Sequence, residues 1–158
     1  VKTGYGIIKV KNNDCRILDF GIVCPDRKGK LSERLSTIYN DLSLIVDRFK
    51  PNILSIEEVF FGKNAKSALL LGHARGVSML CAANNNMPVF EYSARKIKQS
   101  VTGNGNAHKS QIKYMIMKQF NINKLEVKQL VTLRKLREEY IINRAFYFSI
   151  RISILFLK

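Results

Sequence analysis

The stretch from Ile53 to Gly76, ILSIEEVFFGKNAKSALLLGHARG, constrains the fold more than any other part of the chain. Ile53-Leu54-Ser55-Ile56 is a short apolar run set off by the turn signal Lys50-Pro51-Asn52, and it reads as a buried strand. Glu57 and Glu58 stand where that strand ends, with Phe60 and Phe61 just beyond. In α/β sheets ligands and catalytic groups gather at strand C-termini. Strand neighbours alternate faces, so one glutamate points into a site and the other into water. From Asn64 to Ala83 the pattern predicts a helix. Its small residues Ala65, Ala68, Gly72, Ala74 and Gly76 let it approach a sheet or a partner helix closely.

The flanking chain supplies a mixed sheet. Thr3 to Val10 and Cys15 to Cys24 read as a hairpin across the polar turn Lys11-Asn12-Asn13-Asp14. Ser32 is the expected cap of a helix whose stripe of Leu35, Ile38, Leu42, Ile45, Val46 and Phe49 ends at Lys50-Pro51. After the 64–83 helix, Asn84-Asn85-Asn86 turns the chain into a strand over Met87 to Tyr92. Strands alternating with helices imply parallel pairing and an α/β class. Ala94 to Val101 is a short basic helix. Thr102 to His108 is a loop of glycine and asparagine that is mobile or ligand-bound. Lys109 to Phe120 resumes helix, with Ile112, Met115, Ile116 and Phe120 on one side.

Charge narrows the partner. A net charge of +15, from 27 basic and 12 acidic residues, exceeds what solubility needs and points to a polyanion, nucleic acid first. The excess is not a tail effect, because both the part up to Leu125 and the part from Glu126 onward are basic. Three cysteines with no CxxC spacing, Cys15, Cys24 and Cys81, argue against a disulfide framework or a zinc site. Reduced, buried thiols in a cytoplasmic protein are expected. The chain opens directly on Val1-Lys2-Thr3 with no signal-peptide pattern, and the apolar tail from Phe146 to Leu157 is short for a membrane span and is broken by Arg151. A chain of 158 residues with 46% apolar content is expected to form one domain.

Five separated motifs, in order, resemble one family. They are Ser55-Ile56-Glu57-Glu58-Val59-Phe60, the run from Lys63 through Val77 with Leu71-Gly72-His73-Ala74-Arg75-Gly76, Pro88-Val89-Phe90-Glu91-Tyr92, Arg95-Lys96-Ile97-Lys98-Gln99, and Lys109-Ser110-Gln111 after Gly103 and Gly105. The family is RuvC, the crossover junction endodeoxyribonucleases that resolve Holliday junctions. The resemblance runs from about Thr3 to about Leu125. It implies a ribonuclease H-like mixed sheet flanked by helices and two Mg²⁺ ions held by four carboxylates. It also implies a homodimer on four-way junction DNA, and a branch-migration helicase complex as partner in recombination and repair.

The resemblance assigns roles to residues. Glu57 matches a metal ligand of the family; alone it would read as a solvated strand-end carboxylate. Glu58 is structural. Phe60 matches an aromatic set against an unpaired base, where stacking tolerates any sequence; its plain reading is core. Lys98 and Lys109 match lysines near the scissile phosphate, where a cation offsets developing charge; out of context they are surface lysines. Lys63, Arg75, Arg95 and Lys96 are candidate DNA phosphate contacts. His73 is assigned to helix packing, and His108 to a loop able to meet phosphate. The apolar excess of the 64–83 helix, Leu69, Leu70, Leu71, Val77 and Leu80, is core, dimer face, or both.

The chain also departs from the family's pattern. One family aspartate lies in a Gly-Ile-Asp-Pro-Gly strand just before the Thr-Gly-Tyr-Gly that is here Thr3 to Gly6, and the sequence starts after it. Two more belong to an Asp-rich helix, where this chain has Glu126 to Lys135 and no aspartate; the last aspartate is Asp47. Residues 126–158 form a divergent basic and apolar tail whose composition suits a shifted reading frame. Three of four metal carboxylates are thus absent, and the expectation is a nuclease by descent whose 158-residue polypeptide is inactive. The alternative is a non-catalytic junction or DNA-binding module; charge alone would also permit a ribonucleoprotein-like binder. The absent strand is central in the family's sheet and leaves a vacancy between the hairpin and the Ile53 strand. Ala145 to Leu157 alternates with strand period, yet carries Arg151, and a central strand is apolar on both faces. The tail is therefore read as helix or disorder, with a strand filling the vacancy as the alternative.

Overall fold

The computed structural model describes residues 3–11, 14–59, 65–121 and 152–157. It divides into two compact units, Val1–Ser93 with Arg151–Lys158, and Ala94–Ile150. Each is taken by itself.

The first unit is built on a five-stranded sheet. Strands β1 (Thr3–Lys11) and β2 (Asp14–Val23) pair antiparallel, with a bulge between Ile7 and Ile8. Buried and half-buried residues alternate at the start of β1, placing Thr3, Tyr5 and Ile7 in the core. Strand β3 (Ile53–Glu57) buries Leu54, Ser55 and Ile56 in succession, as a strand covered on both faces must. It pairs parallel with β4 (Val89–Tyr92), the strand reached through the second helix.

Between the hairpin and β3 lies β5 (Ile152–Leu157), giving the order β2-β1-β5-β3-β4. It runs parallel to β1, from Gly4↔Ile152 to Lys9↔Leu157, and antiparallel to β3 over Ile53 to Ser55. The central position expected to be missing from the chain is therefore occupied, and for residues 152–157 the expected helix or disorder is corrected to strand. The physical reason lies in the backbone. Two flanking strands each present a row of N–H and C=O groups, and an inserted strand satisfies both rows. Because β1 and β3 run in opposite directions, an insert in either direction is parallel to one and antiparallel to the other. The six residues ISILFL carry no charge; the strand begins one residue after Arg151, the side chain that argued against a central position. The rest of the tail, 126–151 and 158, lies outside the described residues, as do residues 122–125 before it.

Helix α1 (Leu31–Phe49) buries Ile38, Leu42, Ile45 and Val46 at the expected spacing. Its N-cap is Lys30 and not Ser32. The carboxylate of Glu33 reaches back to accept the Lys30 N–H at 3.0 Å, one half of a capping box. The helix stops at Lys50, left-handed at φ 47° with its N–H on the Val46 carbonyl at 2.7 Å, ahead of Pro51. Helix α2 (Ala65–Asn84) packs on α1, where Asn84 donates to the Tyr39 hydroxyl at 2.9 Å and the Ser43 hydroxyl lies 3.6 Å from Cys81 Sγ. Burial pushes the Cys81 thiol above its ordinary range, with Asp47 adding to the rise and Ser43 opposing it. All three described cysteines are free, but only Cys81 is buried; Cys15 is half-buried and Cys24 exposed, so the expectation of buried thiols holds at one position of three.

The second unit holds α3 (Ala94–Thr102), a loop, and α4 (Lys109–Gln119), which pack against each other. Among the described residues no helix is long and apolar enough to cross a membrane.

Candidate functional site

The strand end foreseen in the sequence is present. Glu57 closes β3 opposite Tyr92 of β4, and one further bond, from the Glu58 N–H to the Tyr92 carbonyl at 2.9 Å, holds the two strand ends together. Glu57 is half-buried, with its Oε2 fully buried, whereas Glu58 is exposed. The pair thus divides between inside and outside as alternation demands. The β3–β5 ladder stops at Ser55, two residues short of Glu57.

Three other acids of this unit have partners of their own. Asp19 accepts the Tyr5 hydroxyl at 3.0 Å, Asp47 pairs with Lys50 at 2.9 Å, and Glu91 pairs with Arg75. Arg75, expected to reach phosphate, is turned from α2 onto β4, its side chain 24% exposed and one guanidinium nitrogen on Glu91. The sequence does not reveal this pair, because the two residues lie on different elements, α2 and β4. Among the described residues no three His, Cys, Asp or Glu side chains come together in a way that could hold a metal ion.

Four more predicted site residues, Arg95, Lys96, Lys98 and Lys109, fall in the second unit. Arg95 and Lys96 are exposed in the first turn of α3, and Lys98 is half-buried in the next. Lys109 opens α4 and is exposed. From Ala94 to Asn121 the chain carries Arg95, Lys96, Lys98, Lys109, Lys113 and Lys118 and no Asp or Glu, which concentrates positive potential in a small volume.

The glycine and asparagine loop before Lys109 is not loose. Thr102 Oγ1 donates to the Lys98 carbonyl at 2.9 Å and accepts the Asn104 N–H at 3.2 Å. Asn104 Oδ1 accepts the Asn106 N–H at 2.9 Å, the Ala107 N–H reaches the Asn104 carbonyl at 3.1 Å, and Ala107 is buried. Gly103 sits at φ +75°, a conformation an L side chain resists. A Cβ on Gly105 would lie 2.7 Å from Arg95 Cγ and 3.3 Å from its carbonyl oxygen, so the loop lies tightly on the start of α3. His108 is the N-cap of α4, with its N–H bonded to Gln111 Oε1 at 2.8 Å and its side chain exposed.

Two expectations change. His73 is not a packing residue of this chain: it is exposed, with Nδ1 2.7 Å from the Leu69 carbonyl. The α4 stripe splits, with Ile112 buried and Met115 37% exposed. Phe60 and Lys63 lie outside the described residues.

Comparison with known proteins gives these features a context. The family model described as Crossover junction endodeoxyribonuclease RuvC matches residues 1–130. The Crossover junction endodeoxyribonuclease RuvC of Alkaliphilus oremlandii is 45% identical over 122 residues, 77% of this chain and 74% of that protein. Its counterpart in Ruminiclostridium cellulolyticum is 42% identical over 120 residues, 76% and 72% of the two chains. A solved structure of Thermus thermophilus RuvC in complex with Holliday junction substrate superposes with a TM-score of 0.68 at 23% identity, covering 77% of this chain and 81% of that one. The fold is ribonuclease H-like, as the motifs implied. With an acid-tipped inner strand, the ordered motifs and a match over most of its length, the chain belongs to the RuvC family of crossover junction endodeoxyribonucleases.

Proposed function

We propose that this chain acts at four-way DNA junctions, and that the 158-residue polypeptide binds such a junction without cutting it. The observation that carries the reading is the acid-free basic segment from Arg95 to Lys118, lying within the family match. In this reading Lys98 and Lys109 approach the scissile phosphate and Arg95, Lys96 and Lys63 contact neighbouring phosphates. Phe60 stacks on an unpaired base. Arg75 is a brace between α2 and β4, through Glu91, that holds the strand end on which Glu57 sits.

Mg²⁺ is the cation the family resemblance implies, and the half-buried carboxylate of Glu57 at the strand end supports that residue as its ligand. Among the described residues the donor set does not fit a two-ion site; Glu126, Glu138 and Glu139 lie outside them. Magnesium demands a near-complete oxygen shell, which one carboxylate does not supply, and Asp19, Asp47 and Glu91 are engaged with Tyr5, Lys50 and Arg75. No catalytic step is therefore assigned to the ion, and the non-catalytic junction binder is the reading this donor set favours. The boundary near Leu125, with a tail of separate origin beyond it, belongs to the same proposal.

A homodimer completes the reading. On α2, Leu69 is 62% and Leu80 54% exposed, and a Cβ built on Gly72 or Gly76 between them meets nothing within 4 Å. That face is open to a second α2, and a two-fold dimer matches a substrate with two opposed strands. A cytoplasmic setting and a branch-migration helicase partner accompany the family assignment. The test is competition binding at one fixed salt concentration. The polypeptide is expected to prefer a four-way junction to duplex of equal length by at least about tenfold. Equal affinity for the two would refute the reading.

A further inference from the structure

The second unit contains a pocket that no assigned role uses. Its volume is about 420 Å³, within the roughly 300–1,000 Å³ of small-ligand sites. The 102–107 loop forms one wall and the first turns of α4 the other. Asn104 and Ala107 come from the loop, and Ser110, Gln111, Tyr114 and Met115 from the helix. Positions 110, 111, 114 and 115 share a helix face by spacing, and Tyr114 is 63% exposed on it. Among the described residues Tyr114 and Met115 are exposed and belong to no buried cluster.

The polar groups have a defined sense. The Oδ1 of Asn104 is held by the Asn106 N–H and the Oε1 of Gln111 by the His108 N–H. Fixing both amide oxygens on the backbone leaves both amide NH₂ groups as donors, and the Ser110 hydroxyl can add a third. The pocket therefore combines an aromatic face, a thioether and a set of donors. Lys109 and the exposed His108 stand at its edge in sequence.

Resting on the junction-binding reading, we propose that this pocket receives one unpaired nucleobase of the junction. Tyr114 stacks on the base, Asn104 and Gln111 donate to its carbonyl oxygens, and Lys109 meets the adjoining phosphate. Stacking explains the exposed ring, donors explain the fixed amides, and the surrounding positive charge suits a nucleotide better than a neutral ligand. Donors aimed at carbonyl oxygens favour the bases that carry one, thymine and guanine among them, over adenine, which has none.

The test uses the full chain with Tyr114→Ala and Tyr114→Phe, and four-way junctions carrying thymine, adenine or an abasic residue at each position next to the branch. Tyr114→Ala is expected to bind the thymine junction about tenfold more weakly, and Tyr114→Phe about as well as the parent. At one position the abasic residue is expected to abolish the difference between parent and Tyr114→Ala. Asn104→Asp, which keeps the oxygen that the Asn106 N–H needs, is expected to erase the preference for thymine over adenine. Unchanged binding by Tyr114→Ala, or an equal loss on every abasic junction, overturns the pocket. The parent's junction-to-duplex ratio reports on the functional reading separately. If that ratio is one, oligothymidylate against its abasic counterpart decides the pocket: a tyrosine-dependent difference supports it, and none overturns it.

Discussion

Incubated with a four-way junction and Mg²⁺, the 158-residue polypeptide is expected to retard the junction in a gel and to leave all four strands intact. Stabilising both the attacking and leaving oxygens of a phosphodiester calls for two cations about 4 Å apart, each needing several hard oxygen ligands. The inner strand brings one such ligand, Glu57, with its neighbour Glu58 on the outside. Of the other described acids of that unit, Asp19, Asp47 and Glu91 are paired, and no aspartate follows Asp47. Without the ion pair the expected rate falls to the uncatalysed one, a loss of at least about 10⁶-fold by the usual range of enzymatic acceleration. Denaturing gels of end-labelled junction strands measure it. Magnesium-dependent nicks above the level given by Glu57→Gln would contradict the expectation.

The second large effect is on stability. Leu155→Pro is expected to destabilise the protein by about 3 kcal/mol, because proline removes a backbone N–H and is not tolerated in a central strand. Leu155 sits at the middle of β5, opposite both Ile7 and Leu54, and those two are among the most deeply buried side chains of the core. The loss includes a ladder bond and the burial of a group left without its partner. For a chain of this length it should lower Tm by roughly 10 °C. An unchanged melting curve would show that β5 contributes nothing to the sheet.

That strand also marks where the sequence stopped being informative. The inner strand at Ile53, its acidic tip and the helix after it were legible because an apolar run, a proline turn and a small-residue pattern all report local preference. The hairpin and α1 were legible for the same reason, although the cap moved from Ser32 to Lys30 once Glu33 could reach the Lys30 N–H. The alternation in the tail shows strand period and leaves the vacancy as an alternative destination, but Arg151 weighs against a central strand. Its slot is defined by β1 and β3, far away in sequence, and by their open backbone groups, which have no side-chain signature. Arg75 was legible as a cation but not as the partner of Glu91, and the pocket at Tyr114 was hidden because Met115 read as part of an apolar stripe. In the sequence Gly103 and Gly105 mark a mobile or ligand-bound loop. They turned out to serve a positive φ and a close approach in a loop knit by its own hydrogen bonds.

The tip of β3 is expected to face the branch of the DNA. An iron chelate attached at Glu57→Cys, in a chain with Cys15 and Cys24 changed to serine, generates hydroxyl radicals at that point and cuts whatever backbone lies nearby. The account predicts strand breaks clustered at the exchange point of a four-way junction. Breaks spread evenly along the arms, or no more than free chelate produces, would contradict it.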